Sequence, residues 1–266
     1  MGSALRVAVL GLGEAGRELA LALKVAGADV VAYEAGRVKN PPVELAESAE
    51  AAVDGADVIL SVNSSTVAAR TAESVAAALR PGAIYADLTP GTPALKQRLA
   101  GIIPDGLFAD VAVPLTTVDD ERKEPMMVSG HGANKLIEKL SPYGLCFDYV
   151  SDEPGAAAAR NLIRSMLAKG MAAVVADTLW AAKAMGLDQW AINEINKTFD
   201  AASSAAAQAA LNDTAKHAKV RSVEMTDIVE MLAAANYDST LVNGVGLTFS
   251  HVMHGRKVPF ADLSED

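Results

Sequence analysis

Three glycines and one carboxylate carry the clearest chemistry in the chain: Gly11, Gly13 and Gly16 in the string GLGEAG, and Glu34. Glycines spaced G-x-G-x-x-G where a strand turns into a helix make a cradle for a pyrophosphate. The first permits the tight turn, the second lets the backbone approach the phosphates, and the third lets helix and strand pack closely. The free amides and positive dipole end of the helix then face the negative charge. Gly11, Leu12, Gly13, Glu14, Ala15 and Gly16 are therefore the expected dinucleotide contacts. Glu34 lies 21 residues after Gly13, where a carboxylate accepts hydrogen bonds from the adenosine ribose. Its charge repels a 2′-phosphate and so favours NAD, while Arg37, three residues on, is the group that would hold NADP. Val62 and Asn63 are expected to floor the site near the riboses, and Ser64 or Ser65 to cap the helix that follows.

A cradle of this kind needs strands and helices to hold it. Arg6–Leu10 is an apolar run suited to a strand buried on both faces. Helical periodicity from Ala15 to Ala26 and a second buried strand over Asp29–Tyr33 follow. Val58–Val62, Ala83–Asp87, Leu107–Val113, Met126–Ser129 and Cys146–Val150 are further strands, punctuated by Pro81-Gly82, Pro90-Gly91 and Pro104-Asp105-Gly106. The alternation predicts an α/β domain, a Rossmann-type doubly wound and mainly parallel sheet, over residues 1–152. Strand signals stop there. Residues 153–266 predict an all-helical domain, with helices over Gly155–Met185, Ala191–Leu211, Asp213–Val223, Thr226–Ala235 and Asp238–His254.

Composition narrows the partners. A formal net charge of −10 over 266 residues argues against a nucleic-acid backbone or an anionic membrane. Cys146 is the sole cysteine, so neither an intrachain disulfide nor a thiolate cluster is expected. His251 and His254 read as a partly exposed helix face rather than a metal site. Met1–Ala4 is too short for a signal peptide. Arg160, Arg164, Lys169, Asp177 and Lys183 break the Ala-rich 155–185 segment, which rules it out as a membrane span. The expectation is a cytoplasmic protein with no metal.

The layout resembles the β-hydroxyacid dehydrogenase superfamily, which contains the 3-hydroxyisobutyrate and 6-phosphogluconate dehydrogenases. Four stretches carry the resemblance: GLGEAG at 11–16, DLTPGTP at 87–93, DVAVPLTTV at 110–118 and GAAAARNLIRSMLAKG at 155–170. The string HAKVRSVEM at 217–225 is closest to a less studied branch with its own C-terminal domain. The resemblance implies hydride transfer between a nicotinamide and a small carboxylate-bearing alcohol, carbonyl or imine. It also implies a homodimer, with the apolar face of Gly155–Met185 and the segment Gly244-Val245-Gly246 as contact surfaces. In the second stretch, Thr89 takes the position of the group that holds the substrate carboxylate. In the third, Leu115-Thr116 replaces a Gly-Gly pair, leaving Thr116 and Thr117 as further substrate contacts.

The fourth stretch departs from the family. Its helix reads Gly-x-Gly-x-x-x-Lys-x-x-x-Asn, the lysine being the general acid/base. Matching Gly155 and Gly186-Leu187-Asp188 without a gap puts Asn161 at the lysine and Ser165 at the asparagine. An amide hydrogen-bonds but holds no exchangeable proton near neutral pH. Arg164, on the face of Asn161, stays protonated. His217 titrates in the useful range and shares a helix face with Arg221 and Glu224, although a solvated stripe explains that pattern equally well. Asp177, Asp110 and Lys169 are weaker replacements, and Asp110 could equally cap a helix. Asn161, Arg164 and His217 are thus the catalytic candidates, with Ser165 beside them. The second reading is a nucleotide-binding protein without redox turnover.

Overall fold

The computed structural model describes residues 4–103, 107–114, 124–184, 186–198, 201–234, 236 and 239–258. These fall into two compact units, one ending at Asn161 and the other beginning at Leu162.

The first unit is a single sheet. Its strands are β1 (Arg6–Leu10), β2 (Asp29–Tyr33), β3 (Glu44–Leu45), β4 (Val58–Ser61), β5 (Ile84–Asp87), β6 (Phe108–Ala112), β7 (Met126–Ser129) and β8 (Phe147–Ser151). They lie in the order β3-β2-β1-β4-β5-β6-β7-β8, parallel throughout except that β7 runs against β6. Side chains alternate between two apolar layers, as strand geometry requires. Val7, Val9, Val58 and Leu60 pack under α1 (Glu14–Val25) and α5 (Ala133–Leu140), through Ala20, Leu23, Leu136 and Leu140. Ala8, Leu10, Ile59 and Tyr85 pack under α2 (Ala49–Val53), α3 (Ser65–Val75) and α4 (Pro93–Ile102). With helices on both faces, this is the doubly wound sheet the alternation predicts.

Register sets up the chemistry. Leu10 pairs with Tyr33 and Ser61, Ser61 with Asp87, Asp87 with Asp110, and Asp110 with Ser129. Four buried polar side chains, Ser61, Asp87, Asp110 and Ser129, thereby line up near one edge of the sheet. At the carboxyl ends of parallel strands, such an edge is where open α/β sheets bind ligands.

The second unit is helical: the rest of α6 (Ala156–Ala184), α7 (Asp188–Thr198), α8 (Ala201–Ala234) and α9 (Thr240–Met253). Leu162, Ala173, Met225, Ile228, Val242, Val245 and Phe249 form one core, and Val175, Leu179, Ala191 and Leu211 belong to another. Two expectations are corrected here. No single helix spans Ala191–Leu211, because α7 ends at Thr198; and the break expected between Val223 and Thr226 falls earlier, at His217 within α8. Neither Gly nor Pro occurs in Ala201–Ala234, so the chain has no helix breaker between Val223 and Thr226. It bends instead at His217, whose φ of −120° and ψ of 20° leave the helical region. The helix over Gly155–Met185 stands as expected, described to Ala184. Its first turn belongs with the sheet, for reasons given below.

Candidate functional site

The glycines of 11–16 divide by what surrounds them. Gly11 has φ +103°, and a Cβ there would collide with the Val62 carbonyl. A Cβ on Gly16 would collide with the Gly11 carbonyl. Both are required by the fold of the turn itself. Gly13 differs: nothing lies within 4 Å of where its Cβ would be. It precedes Glu14, the first residue of α1, and Gly13, Glu14 and Ala15 are all exposed. First-turn amides have no acceptor within their own helix, so they are available to an anion. A pyrophosphate fits this arrangement, and Gly13 keeps its approach clear.

Around this turn the expected cofactor residues converge. Gly11 donates to the Tyr33 carbonyl at 2.9 Å, and the Val62 amide donates to Leu10 at 2.8 Å. Leu12 donates its amide to Glu34 Oε2 at 2.8 Å, which ties one carboxylate oxygen to the loop and leaves Oε1 for a ribose hydroxyl. Arg17 holds the following segment by donating to the carbonyls of Lys39 and Asn40. Asn63 donates to Ser61 Oγ at 3.2 Å. Ser64 occupies the N-cap of α3 without a side-chain cap bond, its hydroxyl being paired with Thr66.

A second group sits one strand over. Lys96, in α4, is fully buried and meets two carboxylates, Asp87 Oδ2 at 2.6 Å and Asp110 Oδ1 at 3.2 Å. Burial pulls its pKa down, but the two carboxylates outweigh burial and leave it above the ordinary lysine value. Thr89 donates its hydroxyl proton to Asp87 Oδ1 at 2.8 Å. With that proton engaged, the lone pairs of Thr89 Oγ1 are what its side chain offers to a ligand's donor.

Asp110 also explains where α6 starts. Its Oδ2 accepts from Ala158 N at 2.9 Å and Ser129 Oγ at 3.2 Å, while Ala157 N donates to Ser129 Oγ at 2.9 Å. Of the two roles open to Asp110, helix capping is the one seen. Gly155 has φ +95°, and a Cβ on it would meet the Pro93 carbonyl at 2.8 Å. The first turn of α6 is thus stitched to the sheet edge, which carries the first unit past residue 152 to Asn161.

In the helical unit, Arg164 and Ser165 lie on α6 near Lys169. Lys169 pairs with Glu224 of α8, and Arg221 pairs with Asp213 across the His217 bend. His217 is 44% exposed and stands 3.8 Å from Asp213. The polar face expected over His217, Arg221 and Glu224 therefore divides among different partners. His254 caps the C-terminus of α9, its Nδ1 2.7 Å from the Ser250 carbonyl. Thr116, Thr117 and Tyr237 lie outside the described residues, as do the side chains of Asp177 and Trp180. Among the described residues there is no group of three metal-ligating side chains and no helix apolar enough to cross a membrane.

Sequence reasoning missed Lys96 and Ser129. A signal existed for the first: Asp87 ends one apolar strand and Asp110 lies inside another, and buried carboxylates require a cation or several donors.

Comparison with known proteins gives two family matches. The NAD binding domain of 6-phosphogluconate dehydrogenase matches residues 6–143, and a domain of unknown function, DUF1932, matches residues 182–252. A 28.5 kDa uncharacterized protein of Methanothermus fervidus is 22% identical over 169 residues, spanning 64% of this chain and 66% of that protein. The solved structure of the conserved protein MTH1747, described as similar to 3-hydroxyacid dehydrogenases, superposes with TM-score 0.74. It is 27% identical and covers 94% of this chain and 97% of its own. A 3-hydroxyisobutyrate dehydrogenase of Mycobacterium tuberculosis, solved with L-serine, superposes with TM-score 0.77 at 17% identity over 96% of each chain.

Proposed function

The chain belongs to the family of the NAD binding domain of 6-phosphogluconate dehydrogenase, and on that premise we propose an NAD-dependent oxidoreductase acting on a small carboxylate-bearing alcohol, carbonyl or imine. The observation that carries this reading is the open space at Gly13 between two glycines whose Cβ positions are filled. The turn keeps clear the one position a bound pyrophosphate needs. NAD, when bound, supplies the hydride acceptor or donor. The chain's part is to hold and orient: first-turn amides of α1 for the pyrophosphate, Glu34 for the adenosine ribose, and Val62 and Asn63 as the floor near the riboses. Thr89 then accepts from the substrate's hydroxyl or ammonium. By the resemblance, Arg164, Asn161, Ser165, Thr116 and Thr117 are the further candidates for substrate contact.

Isothermal titration tests the cofactor assignment. NADH should bind more tightly than NADPH, and Gly13→Val should remove binding while keeping the wild-type Tm. Preference for NADPH would transfer the 2′ position from Glu34 to Arg37.

A homodimer is part of this proposal. Ile163, Leu167, Met171 and Val174 form an exposed apolar stripe on α6, beside a groove of about 710 Å³ that Trp190 and Leu241 also line. Water-exposed patches of this kind mark association surfaces. Sedimentation equilibrium returning a monomer at micromolar concentration would sink it.

One observation favours the second reading, nucleotide binding without redox turnover: Asn161 stands where the family carries its lysine. A panel of carbonyls and imines, assayed with both cofactors, separates the two readings.

A further inference from the structure

Lys96 is 1% exposed, and an ammonium at that depth is costly unless its charge is held. Asp87 Oδ2 and Asp110 Oδ1 hold it, and the Asp87 carbonyl accepts from Nζ at 3.1 Å. The two carboxylates outweigh burial and keep the ammonium charged, so it is a fixed anchor rather than a proton donor. Each carboxylate commits its other oxygen elsewhere. Asp87 Oδ1 accepts the Thr89 hydroxyl proton. Asp110 Oδ2 accepts from the Ala158 amide and from the Ser129 hydroxyl, whose oxygen accepts from the Ala157 amide. First-turn amides have no acceptor within their own helix, so these bonds seat the start of α6. Asn161 follows one turn after Ala157 and Ala158. Gly155 in turn abuts Pro93, the first residue of α4, one turn before Lys96. All of these residues lie in the sheet unit.

We propose that Lys96 is a positioning residue: through Asp87 it fixes the Thr89 hydroxyl, and through Asp110 it fixes the first turn of α6 and with it Asn161. This rests on the oxidoreductase reading above, in which Thr89 and Asn161 are candidate substrate contacts. One buried charge thereby sets two contacts carried by different elements, the segment after β5 and a helix. Asp87 and Asp110 are paired across neighbouring strands, and without the ammonium between them they repel. The bonds to Thr89 and to α6 then shift apart. Lys96 acts only through these carboxylates, so its loss should change geometry and leave the titrating groups of the reaction alone.

Lys96→Gln in the full chain tests this, because it removes the charge and keeps a hydrogen-bond donor. The variant should bind NADH as tightly as the wild type, since neither the turn at 11–16 nor Glu34 shares these bonds. Its kcat should fall about 100-fold, the scale of an ångström of misplacement, with both limbs of the pH profile kept. By NMR, the Ala157 and Ala158 amides should exchange about tenfold faster relative to those of Val9 and Ile59, the scale of one hydrogen bond to a charged group. Equal acceleration at all four amides with wild-type kcat per folded molecule is the mark of a merely structural lysine, and overturns the proposal. Loss of a pH limb also overturns it, because Lys96 would then move the proton itself. Ser129→Ala keeps every charge and removes the acceptor of Ala157, so it serves if Lys96→Gln does not fold. It should lose the Ala157 protection and about tenfold in kcat, and wild-type kcat there overturns the proposal. Failure of these readouts in an active wild type overturns the proposal alone. A wild-type chain that turns over no carbonyl or imine overturns the oxidoreductase reading and the proposal with it.

Discussion

Lys96 in the sheet unit and Lys169 in the helical unit are 1% and 2% exposed, yet they end on opposite sides of the ordinary lysine pKa. Depth is the same, so depth does not decide the direction. Lys96 faces two fully buried carboxylates, and each strengthens the other's hold on its charge. Lys169 faces one carboxylate that reaches solvent, with Arg221 and Arg164 opposing it. The sheet unit fixes its buried cation, and the helical unit leaves one free to change state.

The largest test of this contrast removes each lysine in turn. Lys96→Met leaves Asp87 and Asp110 buried without their cation and should cost about 3–5 kcal/mol of stability. Lys169→Met leaves Glu224 at the edge of solvent and should cost about 1–2 kcal/mol. Urea unfolding at pH 7 measures both, and equal losses would erase the distinction. The alkaline limb should separate them as well. Lys96 contributes stability below the ordinary value of 10.5, lost only as pH rises through its higher folded value. For Lys169 the unfolded chain binds the extra proton between about 8 and 10.5, so its contribution to stability rises with pH there. Lys169→Met should abolish that rise.

A smaller effect belongs to Asp227. Burial, then Glu230 and Glu224, push its carboxyl up from 3.8 to about 6. Between those values the folded chain keeps a proton that the unfolded chain has released, so stability from this group falls as pH rises. Asp227→Asn should therefore raise Tm at pH 7 by about 2 °C and flatten its decline between pH 4 and 6. A Tm that drops at pH 7 would mean the carboxylate is stabilising, and the helical unit would lose its character as the under-compensated one.

Legibility in the sequence followed the range of the interaction. β1, β2 and β7 were expected at Arg6–Leu10, Asp29–Tyr33 and Met126–Ser129, and each is found with those bounds. Their apolar runs and flanking turns are local signals. β3 escaped because Glu44–Leu45 is two exposed residues with no period to read. The glycine turn was legible as a motif, but the separate duties of Gly11, Gly13 and Gly16 needed the positions of Val62 and the Gly11 carbonyl. Lys169 and Glu224 lie on different helices, and only the packing of α6 against α8 joins them. Helical periodicity places a residue on a face and says nothing of which face it meets.

The Lys96 cluster has a consequence for how this sequence can drift. Asp87, Lys96 and Asp110 share one buried ammonium, so replacing any one strands the charge of another. Neutral single steps away from the trio are closed. An apolar trio would have to arrive by concerted change, and it would also have to supply a new cap for Ala158 and a new acceptor for Thr89. The three positions are inherited as one character. The exposed surface of α4, a few ångströms away, is free to vary residue by residue.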